Sequence, residues 1–303
     1  MIAPRSGVGI IGAGNMGGGM ARNLLARGYM VHVRDIDRAA ASRAADAGAT
    51  VHDSAAAIGA ACDRILIVVV DAAQIDTVLF GAGGLLASLD AQSRITICST
   101  IGPADVERFG VAIAERGAQL IDAPISGGPS RALTGSMSMM VACSNEILEQ
   151  ERPLLDALAS RVFHVGERLG DAARAKLINN LLAGINLAAA AEAFALAERM
   201  GLDTARLLQV VGASSGQSWI CDDRLPRALD GDFAPRAHAR ILLKDIGLAL
   251  ACAAQAGSPA PLGEQAQALF RQACEMGLAE QDDGAVLLAA RRNTAASSGT
   301  SNS

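Results

Sequence analysis

Aromatic residues make up only 3% of this 303-residue chain, with one Trp and one Tyr, so its cores must be built from Ala, Leu, Ile and Val. Such alanine content suits closely packed helices. The six cysteines, Cys62, Cys98, Cys143, Cys221, Cys252 and Cys274, show no paired spacing. That excludes a disulfide scaffold and leaves buried thiols in a reducing compartment. The four histidines, His32, His52, His164 and His238, offer no pair at ligand spacing, so no metal is expected. There is no basic excess either: the formal net charge is -5, which argues against a nucleic-acid partner. No secretory leader is expected either, because Arg5 is a lone charge and the apolar run after it is cut by Gly7, Gly9, Gly12 and Gly14. Only part of one long helical pattern reaches membrane-spanning length, and Lys176, Glu192 and Glu198 within it argue against a bilayer. A cytoplasmic protein with no membrane partner is expected.

What is present is enough apolar sequence, 51% of residues, for the two domains that the length suggests. Residues 7–11 read as a short strand. Gly12-Ala-Gly14-Asn15-Met16-Gly17 follows, then a helical pattern to Arg27, Gly28, and a second strand over 30–33 ending at Asp35. The order strand, glycine turn, helix, strand, acid is that of a dinucleotide site. The first glycine permits the tight turn, the second lets backbone approach a pyrophosphate, and the third lets helix and strand pack closely. The acid about 20 residues on is where a ribose hydroxyl needs it. Asp35 favours NAD, since a carboxylate accepts the free 2′-hydroxyl and repels a 2′-phosphate. Arg34 and Arg38 leave NADP open as the alternative.

Strands and helices then alternate. The run 65–70 reads as a strand buried on both faces, Asp71-Ala-Ala-Gln74 opens a helix, and 95–98 precedes the turn Ser99-Thr100-Ile101-Gly102-Pro103. Strands over 119–122, 139–143 and 162–165 complete a doubly wound, mostly parallel sheet over residues 1–165. Ligands in such sheets bind beyond the carboxyl ends of the strands. That places Gly12–Gly17, Val70-Asp71, Ser99-Thr100 and residues 124–128 along one edge.

From Gly170 to Gly201 the chain reads as one helix, ~45 Å long at about 1.5 Å per residue. It has no proline and is apolar nearly all round, which predicts burial. Lys176, Asn179 and Asn180 interrupt that surface near its start, and a lysine with two amides on a buried helix needs partners or a job. The helix is read as the beam joining the sheet domain to an all-helical domain over 166–292. Segment 213–240 is expected to be irregular, with Trp219 in the core, and 293–303 to be a disordered tail.

Asp122-Ala-Pro-Ile-Ser126-Gly127-Gly128-Pro129 follows a strand end, where a serine hydroxyl and two glycine N–H groups suit a small carboxylate, although a plain turn has the same composition. Lys176 has a structural reading too, snorkelling or pairing with an acid. But a buried lysine loses affinity for its proton, and a neutral amine accepts a hydroxyl proton as hydride leaves. Asn180 is read as holding the same substrate oxygen or its neighbour. Lys244-Asp245 opens a further helix, and Lys244 is either a ligand contact or an exposed, acid-paired lysine.

Taken together, Gly12–Gly17, Asp122–Gly128, Gly170…Lys176…Asn179-Asn180 and Lys244-Asp245 occur in the order of the β-hydroxyacid dehydrogenase family, which the chain resembles over about residues 7–290. The resemblance implies Lys176 as catalytic acid/base, with Ser126, Gly127 and Gly128 on the substrate carboxylate and Asn180 orienting substrate. It implies Thr100 near the nicotinamide ribose, Lys244 reaching cofactor and substrate, and a homodimer or homotetramer built through the helical domain. Two departures stand out. Ala172 replaces a glycine usual before the lysine, and Asp71-Ala-Ala-Gln74 replaces a proline-bearing loop, placing a charge near the cofactor. The second departure, with the Ser-Gly-Gly block, looks closest to the L-threonate dehydrogenase branch. Tartronate semialdehyde or 3-hydroxyisobutyrate chemistry is the alternative, and a non-catalytic dinucleotide-binding module the reading from another class.

Overall fold

The computed structural model describes residues 7–296, which fall into two compact units divided between Lys176 and Leu177. The division lies inside the long helix rather than at 165/166. The reason is local: Ala173 is buried in the same cluster as Phe109, Ile113 and Leu120, so the first turns of that helix belong with the sheet.

The first unit runs β1 (Val8–Ile11), α1 (Asn15–Ala26), β2 (Val31–Arg34), α2 (Arg38–Asp46), β3 (Thr50–Val51), α3 (Ala55–Ala61), β4 (Arg64–Ile67) and α4 (Ala72–Phe80). It continues with β5 (Arg94–Ile97), α5 (Pro103–Ala114), β6 (Gln119–Asp122), β7 (Ile125–Ser126), α6 (Gly128–Thr134), β8 (Met137–Ala142), α7 (Asn145–Leu158) and β9 (Ala159–Gly166). The strands form one sheet in the order β3-β2-β1-β4-β5-β6-β8-β7, with β9 beside β8. β1 to β6 are parallel, and β8 runs antiparallel to β6 and β7. Chain order reverses at β1, between β2 and β4, which is where a doubly wound sheet opens a crevice. Each face carries its own core, one around Ile10, Met20, Leu24 and Val33, the other around Ile65, Ile67, Ile97 and Phe109.

β4 stops at Ile67, short of the expected 70. Val68 N still donates to the Ile11 carbonyl (2.8 Å), and the next two amides take side-chain partners instead: Val69 N donates to Ser99 Oγ (3.2 Å) and Val70 N to Gln74 Oε1 (2.9 Å). Asp71 then caps α4 by accepting from Gln74 N at 2.9 Å.

The long helix α8 spans Asp171–Arg199 and is followed by α9 (Thr204–Gly212), α10 (Trp219–Leu229), α11 (Ala239–Gln255), α12 (Pro261–Ala273) and α13 (Val286–Ala296). In the second unit Leu187, Ala191 and Phe194 of α8 pack with Leu225, Ile246, Phe270 and Leu287. A side chain at Gly184 would stand 2.5 Å from Ile246 Cδ1, so glycine sets how closely α8 and α11 approach.

Three expectations are corrected here. α8 is not buried all round: Ile178 is 64% exposed, and Leu182, Leu196 and the following Met200 are exposed as well. The stretch 213–240 is not wholly irregular, because Ser218 caps Cys221 N and starts α10 in spite of Pro226, and Trp219 in its first turn is 56% exposed rather than core. The expected tail is helical as far as Ala296, with Asn293 and Gln272 exchanging amide hydrogen bonds of 2.6 and 2.9 Å. Residues 297–303 lie outside the described residues. Among the described residues α8 is long and apolar enough, by length and composition, to cross a membrane.

Candidate active site

Of the three glycines in the first turn, two are required by close contacts within the chain and the third faces open space. Gly12 has φ +96°, and a Cβ there would lie 2.4 Å from the Val68 carbonyl oxygen. At Gly17 a Cβ would lie 1.8 Å from the Gly12 oxygen, so that glycine lets α1 press against the end of β1. At Gly14 a Cβ would meet nothing within 4 Å. Gly14 is the N-cap of α1, which has neither a side-chain cap nor an acidic residue in its first turn. Open space before amide groups at a helix N-terminus suits a pyrophosphate, so these residues fit a dinucleotide. Asn15 is exposed there and Met16 packs partly on the core.

The division of labour is testable. Gly17→Ala is expected to cost about 3 kcal/mol of stability by overpacking. Gly14→Ala should leave the melting temperature unchanged and raise the KM for dinucleotide roughly tenfold, the effect of about 1.4 kcal/mol. Thermal melts beside cofactor titrations check this; equal melting losses in both variants would contradict the assignment.

Asp35 sits against the same turn. Its Oδ2 accepts from Ala13 N at 2.5 Å and its Oδ1 from Asp37 N at 2.7 Å. The Arg34 guanidinium folds back to donate to the Asp35 carbonyl, and Arg38 is the exposed first residue of α2. Val70, Asp71 and Thr100 follow the carboxyl ends of β4 and β5, and all three are half-buried. Cys98, just before Ser99 and Thr100, is pushed up to about 12 by burial and is inert at neutral pH.

After β6 the chain turns through β7 into α6. Ser126 and Gly127 are half-buried, and Gly127 has φ +135° with Arg131 folded beneath it, where a Cβ would stand 2.7 Å from Arg131 Cδ. Gly128 has φ +75° and open space before it. Lys176 is 6% exposed, on the second turn of α8. The connection between β6 and α8 went unforeseen. Asp122 Oδ2 accepts from Gly170 N and Ala173 N, both at 3.0 Å. The signal was available: α8 begins after a glycine, with no local Ser, Thr, Asp or Asn at the capping position, so its first amides need a distant acceptor. Gly170 has φ +89°, whereas Ala172 is helical and fully buried.

Asn180 and Lys244 meet in the second unit through Asp245. Asn180 Nδ2 donates to Asp245 Oδ2 at 2.6 Å, and Asn179 donates to Asn180 Oδ1 at 3.1 Å. Lys244 Nζ lies 2.7 Å from Asp245 Oδ1 in an ion pair that is off the hydrogen-bonding direction. Asp245 itself is buried. The sheet unit therefore brings together Gly12–Gly17, Asp35, Val70, Asp71, Thr100 and Ser126–Gly128 along one edge, and α8 supplies Lys176 from a start tied to β6. No cluster of His, Cys, Asp and Glu suited to a metal occurs among the described residues.

Residues 7–166 match the NAD binding domain of 6-phosphogluconate dehydrogenase, and residues 170–290 match the family described as NAD-binding of NADP-dependent 3-hydroxyisobutyrate dehydrogenase. The L-threonate dehydrogenase of Cupriavidus necator is 39% identical over 92% of this chain and 94% of its own length. The NAD-dependent L-serine dehydrogenase of Pseudomonas aeruginosa is 33% identical over 91% and 94%. The crystal structure of a 3-hydroxyisobutyrate dehydrogenase from Salmonella typhimurium superimposes with a TM-score of 0.85 at 36% identity, covering 92% of this chain and 98% of that one. Fold and relatives together make this protein an NAD(P)-dependent oxidoreductase acting on CH–OH groups. Within that class, the chain belongs to the 3-hydroxyisobutyrate dehydrogenase-related family of β-hydroxyacid dehydrogenases.

Proposed function

We propose that the protein oxidises a small hydroxy-carboxylate of the L-threonate type with NAD, or reduces the corresponding oxo acid, using Lys176 as general acid/base. The observation that carries this reading is a lysine 6% exposed on α8, in a chain whose glycine turn fits a dinucleotide. A nicotinamide dinucleotide held by the glycine turn and Asp35 would supply the hydride acceptor for the alcohol carbon. The Lys176 amine takes the hydroxyl proton, so the C–H electron pair and the O–H proton leave in opposite directions and the carbonyl forms. In reduction the ammonium returns that proton to the carbonyl oxygen. Ser126 Oγ and the amides of Gly127 and Gly128 hold the substrate carboxylate, and Asn180 orients the reacting end. Thr100 and Lys244 contact the cofactor, with Val70 and Asp71 lining its edge.

NAD is preferred over NADP because Asp35 presents a carboxylate fixed by Ala13 N, while the Arg34 guanidinium is turned back onto the Asp35 carbonyl. The relatives named for L-threonate and L-serine favour a small polar substrate, with 3-hydroxyisobutyrate or tartronate semialdehyde as the alternatives. The exposed Ile178, Leu182 and Leu196 of α8 favour self-association into a homodimer or homotetramer, and the cytoplasm is the proposed compartment. A panel of L-threonate, D-glycerate, 3-hydroxyisobutyrate and L-serine, each with NAD+ and NADP+ and followed at 340 nm, is expected to give the highest kcat/KM for L-threonate with NAD+. Turnover of none of the four removes the substrate reading, and sedimentation as a single chain removes the oligomer.

A further inference from the structure

We propose that Asp122 is a positioning residue: its carboxylate clamps the first turn of α8 to the end of β6 and so fixes where Lys176 stands. This rests on the reading of Lys176 as the acid/base.

Asp122 is buried as the last residue of β6, level with Ile97 of β5 and Ala142 of β8. One oxygen accepts from Gly170 N and Ala173 N at 3.0 Å each, and Ala172 N also donates to the carboxylate. These are amides that a helix start leaves without partners, and they come from a turn that carries no cap of its own. Lys176 lies three residues past Ala173, on the neighbouring position of the same face. A shift of the clamped turn therefore carries the lysine with it. The connection is short and stiff. Gly170 takes φ +89°, Ala172 is wholly buried, and Arg174 braces the same turn through Glu107 of α5 at 2.7 Å and Asp171 at 3.0 Å.

The clamp is strongest when Asp122 is ionised, because a hydrogen bond to a charged acceptor is roughly twice as strong as a neutral one and a negative charge suits a helix N-terminus. Burial works against that charge. It pushes Asp122 up to about 6, against the three amide bonds that favour ionisation, and the nearby Asp171 adds to the rise. Asp171 is itself held by Arg168 and Arg174, and Glu107 of α5 is held by Arg174. On the β8 side the ionisable neighbour in sequence is Cys143, whose thiol burial raises to about 11 and so keeps neutral here. Activity that depends on the ionised clamp rises as pH passes upward through about 6.

Stability runs the other way. A carboxyl whose folded pKa is about 6 against 3.8 unfolded contributes fully below 3.8, and the contribution is lost as pH rises through 6. A residue that only held the fold together would make activity and stability move together; this one makes them move apart between pH 4 and 7. Asp122→Asn keeps the acceptor and removes the proton.

The test uses the full chain, with whichever of L-threonate, D-glycerate, 3-hydroxyisobutyrate and L-serine turns over fastest. Asp122→Asn, whose acceptor stays neutral, is expected to show at pH 8 the reduced kcat that wild type shows below pH 6, since hydrogen bonds to a neutral acceptor are roughly half as strong as those to a carboxylate. It should also lose the component of the acid limb near pH 6, and gain stability relative to wild type as pH rises across the same window. Asp122→Ala is expected to lower kcat roughly 100-fold with little change in the KM for dinucleotide, the size of effect that follows a misplaced catalytic group. Protection of the amides of residues 168–176 against hydrogen exchange, corrected for intrinsic rates, should weaken below pH 6 in wild type and stay level in Asp122→Asn. An unchanged acid limb in Asp122→Asn, or full kcat in Asp122→Ala, overturns the proposal. Full turnover by Lys176→Ala overturns the underlying reading of the lysine instead, and the exchange measurement still decides whether the clamp exists.

Discussion

Lys176→Ala is expected to lower kcat by about 1,000-fold, within the range that general acid/base groups contribute. The KM for dinucleotide should change little, because the cofactor contacts proposed here lie on the glycine turn, Asp35 and Thr100. Lys176→Met separates chemistry from packing. Methionine has similar length and no charge, so it keeps the buried volume of a residue that is 6% exposed. If the amine is the proton carrier, both variants lose the same activity, and the methionine variant melts no lower than wild type because burying a thioether carries none of the desolvation penalty of an ammonium. A small exogenous amine should restore part of the turnover of Lys176→Ala, where a cavity exists, and none of that of Lys176→Met. Near-wild-type kcat in either variant would remove Lys176 from the mechanism. The contrast also bears on the non-catalytic alternative, since a pure binding module has no turnover for these variants to lose.

Much of the sheet unit was legible because its signals are local. The glycine turn, the acid after β2 and the strand over 119–122 are each readable within a few residues, and the structure adds a steric reason for Gly12 and Gly17 and open space at Gly14. Helix α8 was legible from composition alone. What escaped was whatever depends on a distant partner. The β-branched run after Arg64 looked like strand to residue 70, but Ser99 and Gln74 intercept the amides of Val69 and Val70, and neither is recognisable as their partner from sequence. Short elements such as β3, β7 and α6 carry too few residues for a periodic pattern. Burial of α8 was overread for a related reason. Hydropathy reports that a surface is apolar, and says nothing about whether this chain supplies what covers it.

The candidate site divides along the same line. The residue types at Gly12–Gly17, Ser126–Gly128 and Lys176 were readable as chemistry. The hydrogen bonds of Asn180 were not: Asp245 takes its amide, a partner 65 positions away. Asp122 was read as part of a carboxylate-binding motif, while its contacts are with the start of α8. Asp71 was read as a charge near the cofactor, and it serves as the cap of α4.

In the second unit, Asp283→Ala is expected to be the most destabilising single change, at about 3–5 kcal/mol, the usual effect of leaving a buried charge without its partner. Asp283 is buried and accepts from Arg224 Nε at 2.5 Å, and Arg224 also contacts Asp223 and stands 3.9 Å from Asp282. Arg227 adds a second cation, with terminal nitrogens buried and facing Asp282 at 3.5 Å and Asp223 at 3.8 Å, too far for good hydrogen bonds. This cluster ties the stretch after α10 to the turn before α13. Asp282 Oδ2 accepts from Arg236 N at 3.0 Å, Asp282 N donates to the Phe233 carbonyl at 3.1 Å, and Asp283 N donates to the Ala237 carbonyl at 2.7 Å. Removing the Asp283 carboxylate leaves Arg224 buried with a half-exposed acid and a distant one. For a unit of this size the loss corresponds to roughly 10–20 °C in melting temperature. Replacing the pair together, Arg224→Met with Asp283→Leu, should recover most of that loss, because a buried ion pair gains little net stability over well-packed apolar side chains of similar volume. Urea unfolding of the two variants beside wild type decides it: a double variant as unstable as the single one would mean that packing at Asp283, and not the stranded charge, accounts for the loss.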